Sequence, residues 1–192
     1  MLRTLFPIDT ERLRLRPYEP ADLDDFVAIH AQPEVVRYLY WGVRNAEELE
    51  HLLAGKIERA ALELPGDAVD VAVLVRNTGA LVGSVSLSWN DSEHRQGEVG
   101  YIFHPEHAGR GYATEASRAM LRVGFEQLGL HRIVGRLDAR NDASARVLER
   151  LGMRREAHLV ENELVKGEWT DELVYALLDR EWRAGLTRAA GA

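Results

Sequence analysis

The sequence predicts an α/β (α+β) protein with a mixed central sheet of about seven strands and about four helices on its faces. Apolar residues alternate at period two in several short stretches, the signature of strands. Longer stretches repeat at helical spacing. Their order along the chain, β-α-α-β-β-β-α-β-α-β-β, mixes meander strands with helical crossovers, which a mixed sheet accommodates.

RLRLRPY (Arg12 to Tyr18) alternates strictly and opens the sheet. Pro20 and Asp22 start a helix whose apolar positions are Leu23, Phe26, Val27 and Ile29, and Pro33 stops it. Residues 34 to 44 are aromatic-rich and read as loop or short helix. Asn45 caps a helix expected to run through Leu62, with Leu49, Leu52, Leu53, Ile57 and Ala60 on one face, before Pro65-Gly66 breaks it. Val69 to Arg76, Ala80 to Trp89 and Glu98 to Phe103 are strands, and Asn77-Thr78-Gly79 turns the first into the second. A helix with Ala113, Ala116, Met120, Leu121, Phe125 and Leu128 inward follows, stopped by Gly129. His131 to Asp138 is a strand. Asn141 to Leu151 is a short helix ended by Gly152. Met153 to Val160 and Thr170 to Leu178 pair last.

The 192 residues are 46% hydrophobic and 29% charged, the make-up of a globular chain read as one domain spanning 1–192. There is no cysteine, so disulfides, thiolate metal sites and a cysteine nucleophile are excluded. The opening segment has no long apolar core and no cleavage-site pattern, so a cytoplasmic protein is expected. The net charge of −7 argues against nucleic acid as partner; it is compatible with a cationic acceptor, but solubility is the preferred explanation. No membrane span is expected. His104 and His107 flank Pro105-Glu106 without the spacing of a zinc motif, so no metal is expected.

The informative stretch is HAGRGYATE, residues 107 to 115, between a strand and a helix. The first turn of a helix has unpaired N–H groups at the positive end of its dipole, and glycines let a ligand approach the backbone. Together they suit a phosphate. Nothing reads GxxxxGK[ST], and Thr114 stands where the dinucleotide fingerprint needs its third glycine. A plain tight turn explains the glycines as well. A second pattern follows at residues 141 to 153, NDASARVLERLGM, a capped amphipathic helix with Ser144 on its first turn.

These two patterns in this order, with TERLRLRPYEPADLDDF, GSVSL, GEVGYIFHPEHAGRGYATEA and DELVYALLDREW, resemble the GCN5-related N-acetyltransferase (GNAT) family. The resemblance is to the branch containing the ribosomal-protein N-terminal acetyltransferases, and it covers residues 10 to about 183. It implies the GNAT fold, with a V-shaped split between the strands Glu98 to Phe103 and His131 to Asp138. It implies acetyl-CoA as co-substrate and no metal. The pantetheine arm would pair with backbone at Tyr101, Ile102 and Phe103. The pyrophosphate would sit on N–H groups of Gly109, Arg110, Gly111, Tyr112, Ala113 and Thr114. Asn141 and Ser144 would approach from the second helix. The family's loop often opens with Gln or Arg, but Ala108 stands there. Many members carry an acidic tyrosine seven residues after the asparagine, but Leu148 stands there. A homodimer is a further family expectation.

Amine acetylation needs a base for the ammonium, a donor for the developing oxyanion and a proton for the leaving sulfur. Without cysteine, direct attack in a ternary complex is expected. Glu98, just before VGY, is the first candidate base, and Glu161 in ENELVKGEW is the second. A backbone N–H near Ile102 is the candidate oxyanion donor. Ser144 is a candidate acid or cofactor ligand. Tyr38, Tyr40 and Trp41 between the first helices, with Trp169 in the last hairpin, are candidates for the acceptor wall. Glu161, Glu163, Glu168, Asp171 and Glu172 are carboxylates for a cationic amine. The acceptor stays open between a protein N-terminus, a polyamine and a small amine such as an aminoglycoside. A non-catalytic acyl-CoA-binding module of the same fold is the alternative.

Overall fold

The structure is a computed structural model and describes residues 6–190. Residues 1–5, part of the opening segment read above, and residues 191–192 lie outside the described residues. One sheet of eight strands runs through the molecule in the order β1-β2-β3-β4-β5-β6-β8-β7. The strands are β1 (Ile8–Asp9), β2 (Leu13–Arg16), β3 (Ala68–Val75), β4 (Leu81–Asp91), β5 (Gln96–Phe103), β6 (Arg132–Asp138), β7 (Arg154–Val165) and β8 (Glu168–Leu178). Every neighbouring pair is antiparallel except β5 with β6, which are parallel. The extra strand over the expected seven is the two-residue β1, too short for any period to register.

The helices are α1 (Leu23–His30), α2 (Pro33–Val36), α3 (Ala46–Glu58), α4 (Tyr112–Arg122), α5 (Asp142–Arg150) and α6 (Asp179–Ala190). Two more appear than expected: the single turn α2, and α6, which leaves β8 without any loop to mark its start. None of the described helices is long and apolar enough to cross a membrane.

Asn45 caps α3 as its sequence predicts. Its side chain accepts from the Glu48 N–H at 2.9 Å, and the Glu48 carboxylate accepts from the Asn45 N–H at 2.8 Å. The helix ends at Glu58, four residues short of Leu62. Leu49 and Leu53 pack with Phe26 and Ile29, whereas Leu62 is drawn into the larger cluster with Val69 and Leu87. One helical face cannot serve both clusters. The helix after the glycines is α-helical to Arg122 and then π-helical over Val123–Gln127, where Gly124 lies against Ile133. The last hairpin is longer than expected because Lys166 and Gly167, both at positive φ, make its turn.

Two apolar clusters lie on opposite faces of the sheet. α4 and α5 cover Val99, Ile133 and Leu137. α1 and α3 cover Ala72 and Leu81 beside Ile102. Alternation along β5 therefore sends Val99, Tyr101 and Phe103 to one face, and Glu98, Gly100 and Ile102 to the other.

His30 is buried under α1 at 3% exposure, its ring 4.1 Å from that of Phe26. Burial pushes its pKa from 6.5 down to about 4. The unfolded chain therefore takes a proton that the folded chain refuses. This contribution is complete above pH 6.5 and is lost as pH falls toward about 4. It amounts to roughly 3 kcal/mol. Urea unfolding at pH 7 and pH 4.5 is expected to show His30→Phe losing less stability on acidification than the parent.

Candidate active site

The parallel pair at the centre of the sheet comes apart. β5 and β6 are in register only at Gln96, Gly97 and Glu98, opposite Arg132, Ile133 and Val134. Beyond Glu98 the two strands diverge, so backbone groups of Val99 to Phe103 that would face β6 face a gap instead. A cleft of about 820 Å³ runs through the split to both faces of the sheet.

On the α4 and α5 face the cleft meets the glycine loop. Gly109 and Gly111 have φ of 75° and 80°, left-handed conformations that glycine adopts without strain. Gly111 sits at the N-cap of α4, so the first N–H groups of an eleven-residue helix open on the cleft. The Thr114 hydroxyl lines it too and is buried without a hydrogen-bond partner, as is His107 Nδ1. Free N–H groups, a helix dipole and an unanswered hydroxyl fit a phosphate.

The turn between β1 and β2 braces this loop. Arg12 binds the Glu115 carboxylate at 2.7 Å and donates to the Arg110 carbonyl at 2.9 Å, and its guanidinium lies 5.0 Å from the Tyr112 ring centre. Thr10 donates to the same carboxylate at 2.6 Å. Arg12 binds a partner 103 residues away, and nothing local in RLRLRP signals that.

α5 closes the same side. Asn141 caps it by accepting from the Ser144 N–H at 3.0 Å. The Tyr101 phenol donates to the Ser144 carbonyl at 3.0 Å, tying β5 to α5, and burial pushes its pKa up to about 12. Leu148 is buried against Gly135, where an added Cβ would lie 2.9 Å from its methyl groups. The position where many relatives carry an acidic tyrosine is therefore apolar packing.

The α1 and α3 face of the cleft is polar. Glu98 is partly buried, and burial raises its carboxyl above the ordinary 4.5, partly offset by Arg136. Arg136 Nε lies 3.6 Å from Glu98, and its Nη1 donates to Glu172 at 3.1 Å. Glu172 is 4% exposed and also accepts from the Tyr40 hydroxyl at 3.2 Å and Asn162 Nδ2 at 3.1 Å. Tyr38, Tyr40 and Trp41 also line the cleft.

Glycines 109 and 111, Tyr112, Ala113 and Thr114 come together with Tyr101, Ile102 and Phe103, and with Asn141, Ser144 and Glu98. Three other candidates stand apart from the cleft. Arg110 is exposed and offers its carbonyl to Arg12. Trp169 is 62% exposed. Glu161 is exposed at an irregularity of β7, with φ of 48° and its N–H donating to Asp171 at 2.9 Å. Two bonds tie the edge strand β7 to Asp171 of β8 here, since His158 also binds that aspartate, at 2.7 Å. Arg12 and Arg136 are the site residues that the sequence hid. Among the described residues, no group of three or more His, Cys, Asp or Glu side chains is placed to hold a metal.

Residues 12–154 match the model of the acetyltransferase (GNAT) domain. The chain belongs to the GNAT family. It is an acyltransferase, like the relatives it matches. It is 31% identical over 175 residues to the uncharacterised N-acetyltransferase YnaD of Bacillus subtilis (strain 168), covering 91% of this chain and 98% of that one. A GNAT-family acetyltransferase of Bacillus anthracis superposes with a TM-score of 0.83 at 30% identity, covering 92% of this chain and all of the other. Spermidine N-acetyltransferase of Vibrio cholerae, solved with CoA and spermine, superposes with a TM-score of 0.76 at 26% identity, over 91% and 99% of the two chains.

Proposed function

We propose that this GNAT protein transfers an acetyl group from acetyl-CoA to a primary amine by direct attack in a ternary complex. The observation that carries the reading is the split between β5 and β6. It has a phosphate cradle on one face and a half-buried carboxylate, Glu98, on the other. Acetyl-CoA supplies the acetyl group as an activated thioester. The N–H groups of Gly109 to Thr114 hold its pyrophosphate, and the Thr114 hydroxyl gains a partner. Backbone along Tyr101, Ile102 and Phe103 aligns the pantetheine arm, and an N–H near Ile102 stabilises the oxygen. Asn141 and Ser144 hold the start of α5 beside it. Glu98 takes the proton of the incoming ammonium, directly or through one water. The Vibrio relative, solved with CoA and spermine, supports a CoA site joined to an amine site.

Turnover of acetyl-CoA with a panel of primary amines, followed by mass spectrometry, tests the reading. In thermal unfolding, CoA at a hundred times its dissociation constant is expected to add about 2.7 kcal/mol, and NAD nothing. A chain stabilised by NAD and not by CoA overturns it.

The raised carboxyl of Glu98 sets a pH dependence. The base works ionised, so kcat/KM is expected to fall as pH drops through a value above 4.5. A pH–rate profile of the parent reads that limb. Arg12→Ala releases the Arg110 carbonyl and the Glu115 carboxylate together. CoA affinity is expected to fall by about tenfold, the scale of one lost charge-assisted contact, measured by calorimetry.

A further inference from the structure

One end of the acceptor side is built from groups that the transfer chemistry leaves unused. His30 of α1, Lys56 of α3, Asp70 of β3 and Ser84 of β4 all line the same cleft as Glu98. Lys56 forms an ion pair with Asp70 through Oδ2. The other carboxylate oxygen, Oδ1, is buried with no hydrogen-bond partner, and so is Nδ1 of His30. Buried polar groups without partners are costly and rare in a finished site. Burial also keeps the His30 ring neutral, with its pKa at about 4, so at neutral pH its two nitrogens offer one donor and one acceptor. Arg44 lines the cleft nearby, 5.2 Å from the Trp41 ring centre.

The two ends of the cleft therefore differ in charge. Glu98 and Glu172 outweigh Arg136 at the β5–β8 end, whereas at the other Lys56 and Arg44 balance Asp70 and the exposed Glu34. Asp70, Ser86 and Gly100 form one row across three strands, and Glu98 lies two residues along β5 from that row. Standard strand spacing and rise then put the Asp70 and Glu98 backbones ~12 Å apart. Beside Asp70 that row holds only the small Ser86 side chain and Gly100, which has none, and an added Cβ on Gly100 would lie 2.8 Å from Ser86 Oγ. An acceptor with its amine at Glu98 has a clear floor to reach the far end.

The group that completes that end must donate to a carboxylate oxygen and also answer an imidazole. A hydroxyl does both. A second ammonium donates but meets Lys56 and Arg44, and a carboxylate has no proton for Asp70. We propose that the His30–Asp70 end is a subsite for a hydroxyl of the acceptor, so that the substrates are hydroxyl-bearing primary amines rather than polyamines. The proposal rests on the placement of the acceptor amine at Glu98 described under the proposed function. The hydroxyl can come from an amino sugar or from the third residue of a peptide, since three extended residues span a comparable length.

Calorimetry on the protein saturated with CoA tests this without requiring turnover. The probes are the mono-amino disaccharide lactosamine, spermidine, and the peptide amides Ala-Ala-Ser-Ala and Ala-Ala-Ala-Ala. Lactosamine relative to spermidine, or the serine peptide relative to its alanine partner, is expected to bind about tenfold tighter. The arm that shows the preference identifies the source of the hydroxyl. His30→Phe, which keeps a ring on Phe26, is expected to bring the preference close to unity. Spermidine binding as tightly as both hydroxylated probes overturns the proposal. A preference that survives His30→Phe also overturns it. The parent comparison stands by itself where the variant does not fold. A retained preference with no acetyl transfer to any amine would instead overturn the catalytic reading and leave the subsite in place.

Discussion

Glu98→Gln is expected to lower kcat by two orders of magnitude or more while leaving CoA affinity unchanged, in the range of a lost general base. Glutamine keeps the size of the side chain and its contact with Arg136, so the variant removes the ability to take a proton and little else. Among the carboxylates near the split, Glu98 alone combines partial exposure to the cleft with a raised proton affinity. Glu172 is more deeply buried, and Tyr40, Arg136 and Asn162 already donate to both of its oxygens. Steady-state kinetics with a primary amine, beside CoA calorimetry, separates the outcomes. Equal turnover in parent and variant would remove Glu98 as base.

The second large effect is expected at the cradle. Gly111→Val should weaken CoA binding by tenfold or more with little change in kcat at saturating CoA. The residue holds φ at 80° beside the first N–H groups of α4. A β-branched side chain there costs at least 1–2 kcal/mol in the left-handed region, and the loop relieves that by turning its N–H groups away. The new Cβ would also meet Arg12 Nη2 at 3.4 Å, disturbing the brace that holds the Arg110 carbonyl. Calorimetry with CoA reads the loss. Unchanged affinity would mean that the pyrophosphate rests elsewhere.

The cradle was legible because its physics is local. Two glycines, a helix start and a preceding strand lie within about twenty residues, and the asparagine cap of α5 is equally self-contained. Glu98 was legible by its place before VGY on the strand beside the cradle. Arg12 and Arg136 were not, because each acts through partners that only the sheet brings near. Arg136 reads as one polar residue of an alternating strand until β5 and β8 stand on either side of it. Glu161 shows the reverse. Its acidic hairpin suggested chemistry, but the irregularity of β7 turns it to the sheet edge. The same dependence on strand order hid the grouping of His30 and Asp70 on one cleft, since one comes from a helix and the other from a strand. Leu148 shows that a missing acid was readable from spacing, while its packing on Gly135 was not.

The final hairpin has one further tie. Lys166 at its turn donates to the carbonyls of Val36 and Arg37, at 2.5 and 3.3 Å, just before the aromatic wall begins. Tyr40 reaches back to Glu172 on the same hairpin. The wall is thus strapped to β7 and β8 at two points. Widening the mouth at the wall must either break these contacts or carry the hairpin with it, so the width of the cleft and the position of β7 and β8 are coupled.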